Sequence, residues 1–257
     1  MNGVWQAAVR LLSSIIFLPI VMQPGPLAAR EPYYGLAPAM QPASDIDLIG
    51  AQWYHAWRPS NPYPGIQAEF VPMLWHGLPD ESLPADYSGV ILVGNEPDNP
   101  NQLNISPQEM ARRLALTRQH YPRARLLCCG TLSYHYDWLA QFMALGVLPD
   151  AWQVHAYIEG PFAASDIIAQ LDAFHRLTGG PAWITEYGSL NGDVAQFAQL
   201  TTWMEQQTWI ERIAPYTNRQ PHQGQWWEID ARVELVAPDG TLTDLGSWYT
   251  GRIKQQP

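Results

Sequence analysis

The fold is decided by the segment Gly89-Val90-Ile91-Leu92-Val93-Gly94-Asn95-Glu96-Pro97-Asp98. Its branched aliphatic residues are typical of a short strand that is buried on both faces of a parallel sheet. Polar residues follow directly, and the reactive groups of parallel α/β folds lie at that carboxyl end of a strand. A carboxylate in such a place needs hydrogen-bonding partners or a shifted pKa, so Glu96 is a candidate functional residue.

The same strand-like composition recurs along the chain, in segments 46–54, 69–75, 125–130, 152–157, 182–186 and 210–216. Helical patterns alternate with these segments. A capping box that begins at Ser106 predicts a helix over 110–120. Ser165 is expected to cap a second helix, which ends at Gly179, and a third helix begins near Asn191.

Alternating strands and helices predict a parallel sheet wrapped by helices, and 257 residues are close to the length of a typical (β/α)8 barrel. We therefore predict an α/β protein with a single (β/α)8 TIM-type barrel over 45–257 and a linker over 30–44. Near the end of the chain, segments 226–229 and 233–236 and the turn signal Asp239-Gly240 predict a strand and a small hairpin.

The first residues have the order of an export signal. Arg10 precedes an apolar run over 11–22, and the small residues Ala28 and Ala29 follow. The run is too short to span a bilayer comfortably, because a spanning helix needs ~20 apolar residues. We expect 1–29 to be a signal peptide and the protein to be secreted or extracytoplasmic, with an uncleaved membrane anchor as the alternative.

Composition restricts the partners that the protein can have. The formal net charge of −10 argues against nucleic acid and anionic membranes. Charged residues are 15% of the chain, which also contains twelve Trp and twelve Tyr. Aromatic side chains stack on the apolar faces of sugar rings, so a polysaccharide or oligosaccharide is the expected partner. We expect a monomer with no cofactor and no obligate protein partner.

The cysteines and histidines do not form a metal-binding pattern. Cys128 and Cys129 are adjacent, and successive strand residues point to opposite faces, so we expect two buried thiols without a bridge. His55, His76 and His155 lie near predicted strand ends. Barrel metal hydrolases usually bring two His at i and i+2 on one strand, and the chain contains no His-x-His. We predict no metal site.

A second carboxylate occupies the same kind of position as the first. Segment 182–185 is strand-like, and Glu186 follows it directly. Glycoside hydrolysis requires two carboxyl groups across the scissile bond, and in retaining enzymes these lie about 5–5.5 Å apart. Glu96 and Glu186 therefore predict a glycoside hydrolase. A non-catalytic carbohydrate-binding protein on the same fold is the alternative, although it would not require the carboxylates.

Short motifs around these residues resemble a known group of enzymes. Asn95-Glu96-Pro97 and Thr185-Glu186-Tyr187-Gly188 look like the catalytic motifs of clan A glycoside hydrolases. Other motifs narrow the resemblance to glycoside hydrolase family 128 and the Asl1-like catalytic domains, which include endo-β-1,3-glucanases. These motifs, in chain order over 45–250, are Phe70-Val71-Pro72-Met73-Leu74-Trp75, Val154-His155-Ala156-Tyr157 and Asp239-Gly240-Thr241-Leu242-Thr243-Asp244-Leu245-Gly246.

The resemblance implies a role for each matched residue. Glu96 would be the acid/base and Glu186 the nucleophile of a double displacement on a β-1,3-glucan-like polysaccharide. Asn95 would bind the 2-hydroxyl of the reacting sugar. His155 and Tyr157 would line the pocket and orient the nucleophile or a hydroxyl.

Aromatic residues near the strand ends are candidates for sugar binding. Trp53, Trp57 and Trp75 close the first two predicted strands, and each is expected to be either a sugar platform or an ordinary core residue. Tyr216 is a further candidate, on the last strand.

The resemblance is incomplete in two respects. The clan carries its acid/base on strand four and its nucleophile on strand seven, whereas the predicted strands count three and six. One short strand before Gly89 is therefore expected. Family members often have an Arg-Tyr-Ala-Trp-Phe-like run on the last strand, where this chain has Arg212-Ile213-Ala214-Pro215-Tyr216 and so lacks the tryptophan, and Trp226 or Trp227 are candidates to replace it. The choice among β-1,3-glucan, mixed-linkage glucan, xylan and mannan stays open.

Overall fold

A computed structural model of the chain describes residues 33–220 and 231–255. The strands, in chain order, are β1 Tyr33–Leu36, β2 Trp53–His55, β3 Glu69–Val71, β4 Met73–Leu74, β5 Val90–Val93, β6 Arg125–Leu132, β7 Ala151–Ile158, β8 Ala182–Ser189 and β9 Ile210–Pro215. The α-helices are α1 Ser44–Ile49, α2 Pro107–His120, α3 Tyr136–Met143, α4 Ala164–Thr178, α5 Val194–Glu205 and α6 Asp244–Lys254, and a short 3-10 helix covers Ala231–Val233.

The strands form one parallel sheet that closes into a barrel. Their order is β3-β2-β1-β9-β8-β7-β6-β5-β4. Only Pro72 separates β3 from β4, and since β3 pairs with β2 and β4 pairs with β5, the two are halves of one strand. A proline interrupts the ladder because it has no N–H to donate. Eight strands therefore surround the barrel, and the predicted (β/α)8 class is confirmed.

The strand missing from the prediction is β1. It lies between β2 and β9, with Gly35 opposite Trp53 and Tyr33 opposite Arg212. The linker expected over 30–44 is therefore wrong for residues 33–36, and the barrel begins by Tyr33 rather than at residue 45. With β1 counted, Glu96 follows the fourth barrel strand and Glu186 lies on the seventh. These are the strand numbers of the clan, which the predicted strands had missed by one.

Segment 46–54, predicted as one strand, consists of α1 and β2 with a turn between them. Ile46 and Ile49 are buried on one face of α1, which is helical rather than strand spacing. Gly50, with φ +80°, ends the helix in the left-handed conformation that glycine adopts at little cost.

The three predicted helices are present. Ser106 caps α2 by accepting a hydrogen bond from the Glu109 amide. The cap of α4 is Ala163 rather than Ser165, and Asp193 caps α5. The predicted C-terminal hairpin reduces to one antiparallel bridge between 236 and 242, followed by the unpredicted α6, and segment 226–229 lies outside the described residues.

Residues 1–29, predicted to be an export signal, also lie outside the described residues. Within the described part of the chain, no helix is both long enough and apolar enough to cross a membrane.

The cysteines differ from the expectation, because a disulfide joins Cys128 to Cys129. The expectation assumed regular strand geometry, in which successive side chains point to opposite faces. Here the peptide bond between the two residues is cis, and their Cα atoms are 3.0 Å apart. The register between β6 and β7 shifts directly afterwards, between Cys129 and Thr131.

The lower half of the barrel interior is filled. Alternate residues of each strand point inward, and the inward apolar residues form one cluster of Trp53, Val71, Met73, Leu92, Leu127, Ala151, Trp183 and Ala214. The guanidinium of Arg212 lies 4.3 Å from the centroid of the Trp183 ring. The next inward positions along the strands therefore lie at the carboxyl-end mouth.

A polar clasp joins the first strand to two helices on the outside of the barrel. The Tyr34 hydroxyl donates to Glu205 of α5 at 2.5 Å, and Arg252 of α6 also binds this carboxylate through Nε and Nη2. Glu205 is nearly buried, with 8% of its side chain exposed. Breaking a buried ion pair leaves one charge without compensation.

We expect Glu205→Gln to lower the free energy of unfolding by about 2 kcal/mol, because the pair is partly accessible to solvent on the arginine side. For a protein of this size that corresponds to a fall in Tm of roughly 4–8 °C. The matched control is Glu109→Gln, which removes exposed helix pairs with Arg112 and Arg113. Thermal unfolding measures both variants, and equal shifts would contradict the stabilising role of the clasp.

Candidate active site

Glu96 follows β5, and Glu186 lies in the second half of β8, so both are at the carboxyl-end mouth of the barrel. Leu92 of β5 belongs to the floor cluster, and beyond Val93 the chain leaves strand geometry, with positive φ at Gly94 and Glu96. On β8 the pairing with β7 shifts register, so that Val154 faces Ile184 but His155 faces Glu186. Such an irregularity re-aims a side chain. Both glutamates are nearly buried, with 6% of Glu96 and 5% of Glu186 exposed.

The two carboxylates meet across His155. One oxygen of Glu96, one oxygen of Glu186 and one ring nitrogen of His155 all lie within 4.8 Å of one another. The histidine contacts Glu96 Oε1 through Nδ1 at 2.8 Å, and its Nε2 is 3.5 Å from Glu186 Oε1. The gap between the carboxylates is near the separation of about 5–5.5 Å that characterises retaining glycosidases.

Glu186 is surrounded by hydrogen-bond donors. Trp57 Nε1 donates to Oε1 at 2.9 Å, and the Tyr157 hydroxyl donates to Oε2 at 2.5 Å. Burial raises the pKa of Glu186, and the neighbouring Glu96 adds to this effect, whereas His155, Tyr157 and Trp57 all act in the opposite direction. The donors therefore favour the ionised carboxylate at a site where burial alone would neutralise it.

Glu96 has a different environment. Asn99 Nδ2 donates to its Oε2 at 2.5 Å, and its backbone N–H donates to the Gly130 carbonyl at 3.1 Å. Its φ of +45° is uncommon for a residue other than glycine, and such backbone outliers cluster at functional sites. Asn95 is buried, and its Oδ1 has no hydrogen-bond partner among the described residues. The hydrogen-bonding capacity of that oxygen is therefore unused in the described part of the chain.

The charge of His155 depends on both glutamates. Burial of the ring lowers its pKa, but the carboxylates of Glu186 and Glu96 outweigh this effect, so the pKa is raised. The protonated ring in turn lowers the pKa of Glu186. The charges of His155 and Glu186 are therefore coupled.

We expect His155→Asn to move the acid limb of the pH profile of kcat/KM to higher pH. The substitution removes the positive charge that lowers the pKa of Glu186, so ionising this carboxylate in the free enzyme requires a higher pH. The control is His120→Asn on the exposed end of α2. An acid limb that stays in place or moves to lower pH would show that His155 does not set the charge of Glu186.

Aromatic side chains form one wall of the mouth. Tyr216 contacts Trp57 edge-to-face at 5.8 Å and Tyr157 at 6.2 Å between ring centroids. Trp57 and Trp75 are half-buried and line a cavity of about 500 Å³. These three of the predicted aromatic residues are therefore placed to contact a ligand.

Trp53 is not so placed. It is fully buried in the floor cluster, where its ring packs 5.1 Å from that of Trp183. It lies two inward positions below Trp57, with His55 between them, and cannot present a face to a sugar. The prediction of Trp53 as a sugar platform is corrected accordingly.

Sequence reasoning missed two groups that support Glu96. Asn99 follows Glu96 by three residues, a spacing that a turn brings back onto the carboxylate. Asp98 Oδ2 accepts hydrogen bonds from the Leu132 amide at 3.0 Å and from His135 Nδ1 at 2.8 Å, tying the loop after β5 to the end of β6. Burial raises the pKa of Asp98 to about 6, with His135 acting against this effect. Asp98 and His135 are 37 residues apart, so no local sequence pattern indicates their contact.

Glu96, His155 and Glu186 are also the described residues that distance alone would allow to hold a metal ion. Their surroundings favour a different use. Trp57 and Tyr157 donate hydrogens to Glu186, and Asn99 donates to Glu96, so N–H and O–H groups face the oxygens that a cation would need.

A family model described as "Glycosyl hydrolase catalytic core" matches residues 40–249. No curated protein matches the chain in sequence.

Similar solved structures include a GH128 (subgroup I) endo-β-1,3-glucanase from Amycolatopsis mediterranei in complex with laminaritriose, with TM-score 0.67, 20% identity and coverage of 86% of this chain and 99% of that one. A subgroup II endo-β-1,3-glucanase from Pseudomonas viridiflava gives TM-score 0.66, 22% identity and coverage of 86% and 97%. A subgroup III curdlan-specific exo-β-1,3-glucanase from Blastomyces gilchristii gives TM-score 0.64, 23% identity and coverage of 85% of this chain and 97% of that one. At these identities the likeness is one of fold.

Proposed function

Because the chain belongs to the glycosyl hydrolase catalytic core family, we propose that it is a retaining glycoside hydrolase that acts on β-1,3-glucan. The resemblance to glycoside hydrolases seen in its motifs is confirmed by the family match, and the protein is a glycoside hydrolase. The observation that carries the retaining mechanism is the gap of at most 4.8 Å between an oxygen of Glu96 and an oxygen of Glu186. A gap of this size leaves no room for the water that an inverting enzyme places between its carboxyl groups.

In the first step Glu186 attacks the anomeric carbon, and protonated Glu96 gives its proton to the glycosidic oxygen as that bond breaks. The leaving sugar departs as an alcohol, and the remaining sugar is esterified to Glu186. In the second step Glu96, now ionised, takes a proton from water, whose oxygen attacks the anomeric carbon. The ester bond breaks, Glu186 is released as a carboxylate, and Glu96 is again protonated.

The hydrogen bonds support this division of roles. Glu186 accepts from Trp57 and Tyr157 and lies beside His155, whose pKa the two carboxylates raise. These contacts stabilise an anion, which the nucleophile must be before each turnover. Glu96 follows the fourth strand, beside Asn95, whose free oxygen suits the 2-hydroxyl of the sugar on Glu186.

Support for the substrate is of two kinds. The similar structures named above are β-1,3-glucanases, and one of them contains laminaritriose. The half-buried rings of Trp57 and Trp75 and the edge of Tyr216 give the mouth the aromatic surface that sugar faces prefer. We further propose that the enzyme acts outside the cytoplasm, from the signal-like order of 1–29, and as a monomer.

The test is hydrolysis by the purified protein of β-1,3-glucan, mixed-linkage glucan, xylan and mannan, with product sizes determined. We expect the highest rate on β-1,3-glucan and none from Glu186→Gln. Higher activity on another glycan would overturn the substrate assignment alone. Oligosaccharide binding without turnover, on every substrate, would instead support the carbohydrate-binding alternative.

A further inference from the structure

The disulfide between Cys128 and Cys129 lies close to the catalytic pair, and the proposed mechanism has given it no role. Both residues belong to the hydrophobic core, where they are 0% and 1% exposed. Cys128 of β6 pairs with Val93, the last residue of β5, and Glu96 follows on the same loop. Because solvent and substrate do not reach the two sulfurs, any role of the bond is to hold the backbone around it.

We propose that this disulfide is a positioning element for the acid Glu96, so that the oxidised enzyme, and not its dithiol form, has full acid catalysis. The inference rests on the proposed function, which it deepens by adding a redox requirement to the same site. The bond forms when the two thiols lose two electrons and two protons to a disulfide oxidant such as oxidised glutathione, which is reduced to two thiols.

Global stability is not the main contribution of a bond between adjacent residues. In the chain-entropy model a cross-link stabilises the fold by restricting the unfolded chain, and the effect grows with the length of the loop that is closed. Cys128 and Cys129 are neighbours in sequence, so they close the shortest loop that a chain allows. The bond therefore acts chiefly on the local backbone of β6.

That backbone departs from a regular strand directly after the two cysteines. Cys129 pairs with Gln153 but Thr131 pairs with Val154, so Gly130 is an extra residue in β6, and its φ is +67°. A bulge of this kind re-aims the strand that carries it. In a regular strand the two cysteine side chains would point to opposite faces. Two thiols cannot approach as closely as two bonded sulfurs, so reduction allows this segment to relax toward the regular ladder.

The bulge supports the loop that carries the acid. The carbonyl of Gly130 accepts the backbone N–H of Glu96 at 3.1 Å. Two residues beyond the bulge, the Leu132 amide donates to Asp98 Oδ2 at 3.0 Å. The acid loop is thus bound on both sides of Glu96 by the backbone that follows the disulfide. A shift of the Gly130 carbonyl would move Glu96 relative to the glycosidic oxygen that it must protonate.

The nucleophile is held by other parts of the barrel. Glu186 lies on β8 and accepts hydrogen bonds from Trp57, which follows β2, and from Tyr157, near the end of β7. Neither contact involves the cysteines or Gly130. Loss of the disulfide should therefore affect proton donation by Glu96 more than attack by Glu186.

The proposed location of the enzyme suits this requirement. Disulfides persist in extracytoplasmic compartments, whereas the reductants of the cytosol keep thiols reduced. An enzyme whose acid is positioned by an oxidised cysteine pair would reach full activity only after export.

The experiment measures acid catalysis separately from nucleophilic attack. We expect Cys128→Ala, Cys129→Ala and the double variant each to lower kcat on β-1,3-glucan by about tenfold, since a shift of ~1 Å can cost 10²-fold. The loss should be much smaller on 2,4-dinitrophenyl β-laminaribioside, whose leaving group departs without a proton. The three losses should be equal, because removing either sulfur removes the bond.

The matched control is Leu126→Val, on the same strand, which removes buried volume without changing the sulfurs. It should leave the ratio of the two activities unchanged. Equal losses on the two substrates in the cysteine variants would show a merely structural role and overturn the proposal. Unchanged glucan hydrolysis, or a double variant that loses much more than either single variant, would also overturn it.

A second measurement uses the unaltered chain. Protein unfolded in iodoacetamide without reductant should take up no alkyl group, and prior treatment with dithiothreitol should add two, as counted by mass spectrometry. The dithiol form, purified under dithiothreitol and verified by this count, should show the same loss on glucan and regain activity with oxidised glutathione. Two free thiols without reductant, or full glucan activity of the dithiol form, would overturn the proposal. Absence of hydrolysis by the oxidised enzyme on both substrates would instead refute the proposed function.

Discussion

Glu186→Ala is expected to lower kcat for β-1,3-glucan hydrolysis by about 10⁴-fold or more, the range found when a nucleophile is removed from a catalytic unit. The variant cannot form the covalent intermediate, and Trp57 and Tyr157 lose the anion to which they donate. The space left beside the anomeric carbon admits a small anion. Added azide should therefore restore turnover of an activated aryl glycoside and give a glycosyl azide of inverted configuration, identified by NMR.

The control for this loss is Glu109→Ala, on the exposed surface of α2. Near-normal hydrolysis by Glu186→Ala would show that another group is the nucleophile. If azide gave an inverted product with the Glu96 variant instead, the two roles would be exchanged although the pair itself would stand.

Glu96→Ala should lower kcat on β-1,3-glucan by about 10²–10⁴-fold, the contribution of a positioned general acid. The loss should be far smaller on a 2,4-dinitrophenyl glycoside, because that leaving group departs without a proton. With this substrate the first step still forms the intermediate on Glu186. Azide should then attack from the side that water normally uses and give a product of retained configuration.

Comparing the two leaving groups makes this prediction specific to acid catalysis. A merely structural role of Glu96, for example through its contact with His155, would lower both activities by the same factor. Identical losses on glucan and on the activated glycoside would therefore contradict the assignment. The ratio of the two losses, not the size of either, is the quantity to measure.

Local sequence was sufficient to predict that Glu96 and Glu186 lie together at one end of the barrel. The apolar run before Glu96 and the strand before Glu186 each specify a buried strand that ends in a carboxylate, and parallel strands present such ends at one edge. The barrel class followed from the same alternation. His155 and Tyr157 were identified from the resemblance of Val154-His155-Ala156-Tyr157 to a family motif, and both contact the glutamates.

The failures have physical causes that act over a distance. Trp53 and Trp57 have the same local sequence pattern. They differ in their height within the barrel, since Trp53 lies in the packed floor and Trp57 lines a cavity. The four residues of β1 are strand-forming because β2 and β9 lie on either side of them, and nothing in 33–36 alone reports those partners. The tie of Asp98 to His135 likewise joins loops that 37 residues separate.

The position of β1 has a consequence for how the chain acquires its structure. This strand leaves the ribosome before all the others in the barrel, yet one of its two neighbours is β9, the last strand to be made, and its outer contacts come from α5 and α6. The backbone N–H and C=O groups on the side of β1 that faces β9 must therefore stay without their strand partner through most of synthesis. Contacts between such distant segments slow folding and leave an open edge exposed to other chains. The clasp of Glu205 with Tyr34 and Arg252 therefore forms only when α5 and α6 are in place against β1 and the barrel is closed.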